Sequence, residues 1–109
     1  MNSGDLRHRI VIQANVPTRD SSGEEVPAWH DFASPWATAE PLRGQEYLEA
    51  RKLEADLDIR FRIRFHDGLK PSMRVLFDGR IFDVISVIHV KSNRREIQLM
   101  CKELLERSL

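Results

Sequence analysis

From Leu53 to His66 apolar and charged residues alternate without a break over fourteen positions, Leu-Glu-Ala-Asp-Leu-Asp-Ile-Arg-Phe-Arg-Ile-Arg-Phe-His. Successive strand side chains point to opposite faces, so the pattern predicts a β-strand with Leu53, Ala55, Leu57, Ile59, Phe61, Ile63 and Phe65 facing a core. At ~3.3 Å per residue the run spans about 45 Å, longer than a typical strand, so a bend or bulge is expected within it. Its charged face is sorted: Glu54, Asp56 and Asp58 precede Arg60, Arg62, Arg64 and His66. One end is acidic and the other basic, which suits subunits that meet side by side.

The other stretches read as shorter strands. Leu6–Gln13 places Leu6, His8, Ile10 and Ile12 on one face. The turn formers of 18–25 predict an exposed hairpin loop returning into a strand over Val26–Phe32, where Pro27 lacks a ladder donor and marks an edge. A third strand covers Ser34–Glu40 and stops at Pro41. Residues 42–52 change character: Gly44 is followed by helix formers, which predict a short helix or helical loop whose few apolar groups, Tyr47, Leu48 and Ala50, need packing from elsewhere. Asp78-Gly79 is a strong hairpin signal between Met73–Asp78 and Arg80–Val90. The second of these arms is apolar on both faces, with Ile81, Ile85 and Val87 on one and Phe82, Val84, Ile88 and Val90 on the other, as a central or covered strand would be. Ile97, Leu99 and Cys101 alternate along a last strand from Glu96 to about Leu104. The fold class is mainly β, a small antiparallel β-barrel or sandwich of about six strands with one short helix or helical loop, in a single domain over 1–109 with an ordered core of about 6–104.

Charge narrows the functions. Seventeen basic and seventeen acidic residues cancel, which leaves no net field to hold the chain on nucleic acid or an anionic membrane. The halves differ: residues 1–59 carry 6 basic and 11 acidic side chains, and 60–109 carry 11 and 6. No secretory leader and no run of about eighteen apolar residues is present, so neither export nor a membrane partner is expected. Cys101, the single cysteine, fits a reducing compartment and a core position.

Candidate chemistry is sparse. Asp56 and Asp58 are about 7 Å apart on one strand face, a separation usable by acid/base carboxylates or a hard metal, but every polar position around them is charged, as on a solvated face. His8, His30, His66 and His89 lack metal-ligand spacing, and there is no nucleophile elbow or phosphate loop; no metal, cofactor or catalytic residue is assigned. Arg60, Arg62 and Arg64 form a basic stripe suited to a single-stranded nucleic-acid-binding barrel, yet Phe61 and Phe65 point to the opposite face, where they cannot stack bases beside it. A subunit-facing stripe paired with acids is the simpler reading, with Trp29 and Trp36 as core or interface anchors.

The order of several short motifs is specific: Leu-Arg-His-Arg-Ile-Val-Ile-Gln at 6–13, Asp-Ser-Ser-Gly-Glu at 20–24, Trp-His-Asp-Phe at 29–32, Pro-Trp-Ala-Thr-Ala-Glu-Pro-Leu-Arg-Gly-Gln-Glu-Tyr at 35–47, Met-Arg-Val at 73–75 and Asp-Gly-Arg-Ile-Phe-Asp-Val at 78–84. From about Leu6 to Glu103 the chain resembles the head-tail joining (head-closure, or stopper) proteins of tailed bacteriophages and prophages. The resemblance implies a small β-barrel with an inserted helix or loop, and a non-enzymatic virion role. It implies a homo-oligomeric ring, dodecameric in the family, at the head-tail interface of the virion after assembly in the host cytoplasm. Its partners would be the portal or adaptor ring, tail proteins and the packaged double-stranded DNA in the channel. A family loop orders on assembly; by position, 42–52 is the matching segment, with Arg43, Glu46, Tyr47, Leu48, Arg51 and Lys52 as assembly-loop candidates. Arg60, Arg62 and Arg64 are candidates for subunit or DNA contact. A neighbouring connector component, such as an adaptor or tail-completion protein, and a single-stranded nucleic-acid-binding module are the alternatives.

Overall fold

The computed structural model describes residues 7–42, 44, 48–49, 57–90 and 95–104. Its strands are β1 (His8–Arg9), β2 (Val11–Asn15), β3 (Thr18–Arg19), β4 (Glu25–Val26), β5 (Trp29–Ala33), β6 (Trp36–Pro41), β7 (Ile59–Arg64), β8 (Arg74–Phe77), β9 (Arg80–His89) and β10 (Glu96–Glu103). Eight form one sheet in the order β1-β6-β7-β10-β9-β8-β2-β5, and among the described residues β3 pairs only with β4. All ladders are antiparallel. Since β1 and β2 are halves of one stretch, the first strand of this order adjoins the seventh, and the sheet curls into a half-barrel. Ile10, between the halves, keeps contact across the break through its N–H to the Pro35 carbonyl at 3.1 Å. The chain is thus mainly β, with its predicted first and second strands each divided in two.

β7 keeps the alternation of its sequence: Ile59, Phe61 and Ile63 are buried, and Arg60, Arg62 and Arg64 face outward. It covers six residues, and among the described residues its neighbours supply ladder partners over 59–64; past the C-terminal end of that pairing the alternation of burial stops, with Phe65 and His66 both exposed. Phe65, expected in the core, is 48% exposed; Leu57 is buried, but with Met100 and Leu42 outside the main cluster. Leu53 and Ala55 lie outside the described residues.

The two-sided apolar pattern of β9 has a specific origin. Met100 faces Ser86 while the next residue, Cys101, faces Val84, so Ile85 is an extra residue in a β-bulge. Phe82 and Val84 face inward before it and Val87 packs on the core after it, while Ile85 and Ile88 are exposed. The strand is also central, between β8 and β10. A second irregularity skips Phe32: Ile12 faces Ala33 and Gln13 faces Asp31. Among the described residues β5 pairs only with β2, the edge position that Pro27 indicated.

The core holds Ile10, Ile12, Phe61, Val75, Phe82, Ile97, Leu99 and Cys101. Phe61 meets Phe77 and Phe82 edge-on, with ring centroids 5.5 and 5.3 Å apart, the arrangement that aromatic quadrupoles favour. The β8–β9 turn has positive φ at both Asp78 (54°) and Gly79 (71°), as a type I′ turn demands. No helix among the described residues is long and apolar enough to cross a membrane.

Candidate functional site

Registers arrange the outward side chains of β1, β6, β7, β10 and β9 in three rows. In the first, Arg9 faces Trp36 and Arg64 faces Glu96; the Ala37–Ile63 pairing next to them brings Trp36 and Arg64 side by side. The second runs Thr38, Arg62, Gln98, Ile88, and the third Glu40, Arg60, Met100, Ser86.

Carboxylates engage two of the three stripe arginines. Arg62 donates from Nη1 to Glu40 Oε2 at 3.0 Å, from Nη2 to Glu96 Oε1 at 3.0 Å and from Nε to Glu96 Oε2 at 3.3 Å. Arg60 Nη1 donates to Glu40 Oε1 at 3.2 Å, and Gln98 Nε2 to Glu96 Oε2 at 3.0 Å. The Arg62 hydrogen bonds hold the Glu96 carboxyl below the usual carboxylate range against the opposing effect of burial. Glu96 foremost, and then Glu40, raise Arg62. A phosphate approaching Arg62 would have to displace two carboxylates already in hydrogen-bond contact. Arg64 is exposed and pairs with no carboxylate among the described residues.

Trp36 is 51% exposed. The Arg9 guanidinium lies over its ring, 5.3 Å from the centroid, and Arg9 Nε is anchored on the Ser34 carbonyl at 2.7 Å. Arg7, just before β1, is exposed and donates its N–H to the Ala37 carbonyl. An exposed tryptophan among Arg7, Arg9 and Arg64 therefore borders the ion-pair network. The sequence marked Trp36 as an anchor, but Glu40 and Glu96 were not singled out: they lie 22 and 34 residues from Arg62, with no local signal linking them.

Of the assembly-loop candidates, Leu48 is described and is 58% exposed; Arg43, Glu46, Tyr47, Arg51 and Lys52 lie outside the described residues. Asp58 Oδ2 accepts the Glu103 N–H at 2.9 Å; Asp56, the other carboxylate of the candidate pair, lies outside the described residues. His8, expected among apolar neighbours, is exposed and edge-on to Phe77 at 5.2 Å. Among the described residues no three His, Cys, Asp or Glu side chains gather as a metal site requires.

The family model of the phage head completion proteins matches residues 1–104. The chain belongs to that family. It is 25% identical over 107 residues to head completion protein gp7 of Enterobacteria phage HK97, covering 94% of this chain and 96% of that protein. Over 76 residues it is also 25% identical to head completion protein gp16 of Bacillus phage SPP1, covering 70% of each. Among solved structures, protein SF1141 from Shigella flexneri 2a superimposes with a TM-score of 0.82 at 27% identity, over 98% of this chain and all of that one. A chain of the native gene transfer agent virion shares the fold, with a TM-score of 0.60 at 17% identity over 93% and 97% of the two chains. A bacteriophage head component of half-barrel fold is thus the setting for the outer face described above.

Proposed function

We propose that this head completion protein forms a homo-oligomeric ring at the head-tail interface, where it closes the DNA-filled head and presents the surface on which the tail docks. The observation that carries the reading is the family match over 1–104, which joins a virion family to a fold whose outward Arg60 and Arg62 are already paired with carboxylates of the same chain. Such a subunit needs no enzymatic centre. Its work is to bind the portal or adaptor ring on one side and tail proteins on the other, around the channel for packaged DNA. Identical subunits that meet through two unlike surfaces close into a ring when the rotation between them permits, and the exposed Trp36 is the type of residue that anchors such contacts.

The test is to assemble heads with and without the protein. Heads lacking it should lose packaged DNA and bear no tails, and electron microscopy of complete particles should show a ring of this chain between head and tail. Tailed, DNA-filled particles formed without it would refute the proposal.

A further inference from the structure

The stretches 8–15 and 29–37 form one antiparallel ribbon, and two complementary features occupy its opposite ends. At one end are Arg9, Trp36 and Arg64, neighbours across β1, β6 and β7, with Arg7 beside them. At the other end the ribbon continues beyond the main sheet, through the Val16 N–H to the Ala28 carbonyl at 2.8 Å, into the β3–β4 hairpin.

That hairpin is built to hold its shape without a core. Asp20 Oδ1 accepts the Ser22 and Glu24 N–H groups at 3.0 and 2.9 Å and the Ser22 hydroxyl at 2.9 Å, while Arg19 Nη1 donates to the Gly23 carbonyl at 2.8 Å. These contacts engage Asp20 and Arg19 in the turn itself. They leave the carboxylates of Glu24 and Glu25 without a cation among the described residues, and every residue from Val16 to Glu25 is exposed. An ordered, exposed, acidic projection is matched by an exposed tryptophan with Arg9 over its ring and Arg64 beside it in register.

We propose that the acidic β3–β4 hairpin of one copy seats on the Arg9–Trp36–Arg64 row of the next, with Glu24 and Glu25 meeting the guanidiniums and the hairpin covering the indole. Within one chain the two features do not pair: Glu24 and Glu25 meet no cation among the described residues. Trp29 and Trp36 are seven residues apart on the ribbon, up to about 23 Å at ~3.3 Å per residue, and the hairpin extends beyond Trp29. Each subunit therefore offers one projection and one seat, the heterologous arrangement that propagates from copy to copy. Opposite charges suit it: like charges would oppose any other pairing of these two surfaces, so they also set its direction. This inference rests on the ring proposed above and names the contact that closes it.

The experiment counts copies of the chain per purified head and measures DNA retention. The variants are Glu24→Arg with Glu25→Arg, Arg9→Glu with Arg64→Glu, all four together, and Trp36→Ser; thermal melts of the free chains control for folding. Each charge pair reversed alone should lower the copy number at least about tenfold, the four-fold variant should recover it because both partners have exchanged sign, and Trp36→Ser should lower it with the sign unchanged. An unchanged copy number in the one-sided variants overturns this contact and leaves the ring standing. So does a four-fold variant that fails to recover while melting like the parent. Lost DNA at full copy number would assign the arginines to nucleic acid, which also overturns it. Heads in which even the parent chain is absent would remove the ring and this contact together.

Discussion

Arg62 and Glu96 meet across β7 and β10 at 3.0 Å, with the Glu96 side chain only 9% exposed. Removing the guanidinium would strand a nearly buried carboxylate beside Glu40. Arg62→Ala should therefore cost about 1 to 3 kcal/mol in urea unfolding, more than the few tenths typical of an outward position. The pH dependence has a definite sign. Glu96 has a folded pKa below its ordinary value of 4.5, so its contribution is full above that value and is lost as pH falls through the folded one. Acidification from about pH 5 downward should lower the urea midpoint of the parent, and of Glu96→Gln by less; parallel curves would show that the pair does not couple to folding.

Phe61 is fully buried between Phe77 and Phe82. Phe61→Ala should cost about 3 to 5 kcal/mol through lost burial and a residual cavity. Arg64→Ala, three residues on and exposed, should change stability by no more than about 0.5 kcal/mol. Comparable losses in thermal melts would contradict the facing of β7.

Gly68 and Gly79 separate two reasons for glycine. Both have positive φ, 86° and 71°, but a Cβ on Gly68 would lie 2.9 Å from Phe32 Cζ, whereas one on Gly79 would meet nothing within 4 Å. Gly79→Ala should cost about 1 to 2 kcal/mol from the backbone alone. Gly68→Ala should cost more, and the excess should vanish in a Phe32→Ala background. A double-mutant cycle in urea checks this; an excess that persists would mean that Phe32 does not set it.

Cys101 is fully buried in the core, and burial pushes its thiol far up. Since the thiolate is the reactive form, a chromogenic disulfide reagent should not react with the native protein at neutral pH but should titrate one thiol in denaturant. Rapid labelling of the native chain would place the sulfur at the surface.

The strands were legible because local rules govern them. Alternation identified β7 through Ile59, Phe61 and Ile63, and Asp78-Gly79 named its own turn, since only certain residues tolerate positive φ there. What the sequence could not reveal depended on which strands become neighbours. The bulge at Ile85 changes which side chains of β9 face inward, and it exists only because β10 sets a register that β9 alone does not contain. The alternation ran past the C-terminal end of β7 to Phe65 and His66 because a strand lasts only as long as its partners, and β6 and β10 pair it no further than Arg64. Likewise, the stripe of Arg60, Arg62 and Arg64 was visible as a pattern, but which of its charges are paired was decided by Glu40 and Glu96, brought within hydrogen-bond distance of Arg60 and Arg62 by ladders linking distant parts of the chain. Local pattern specifies which way a side chain faces; tertiary pairing decides what it meets there.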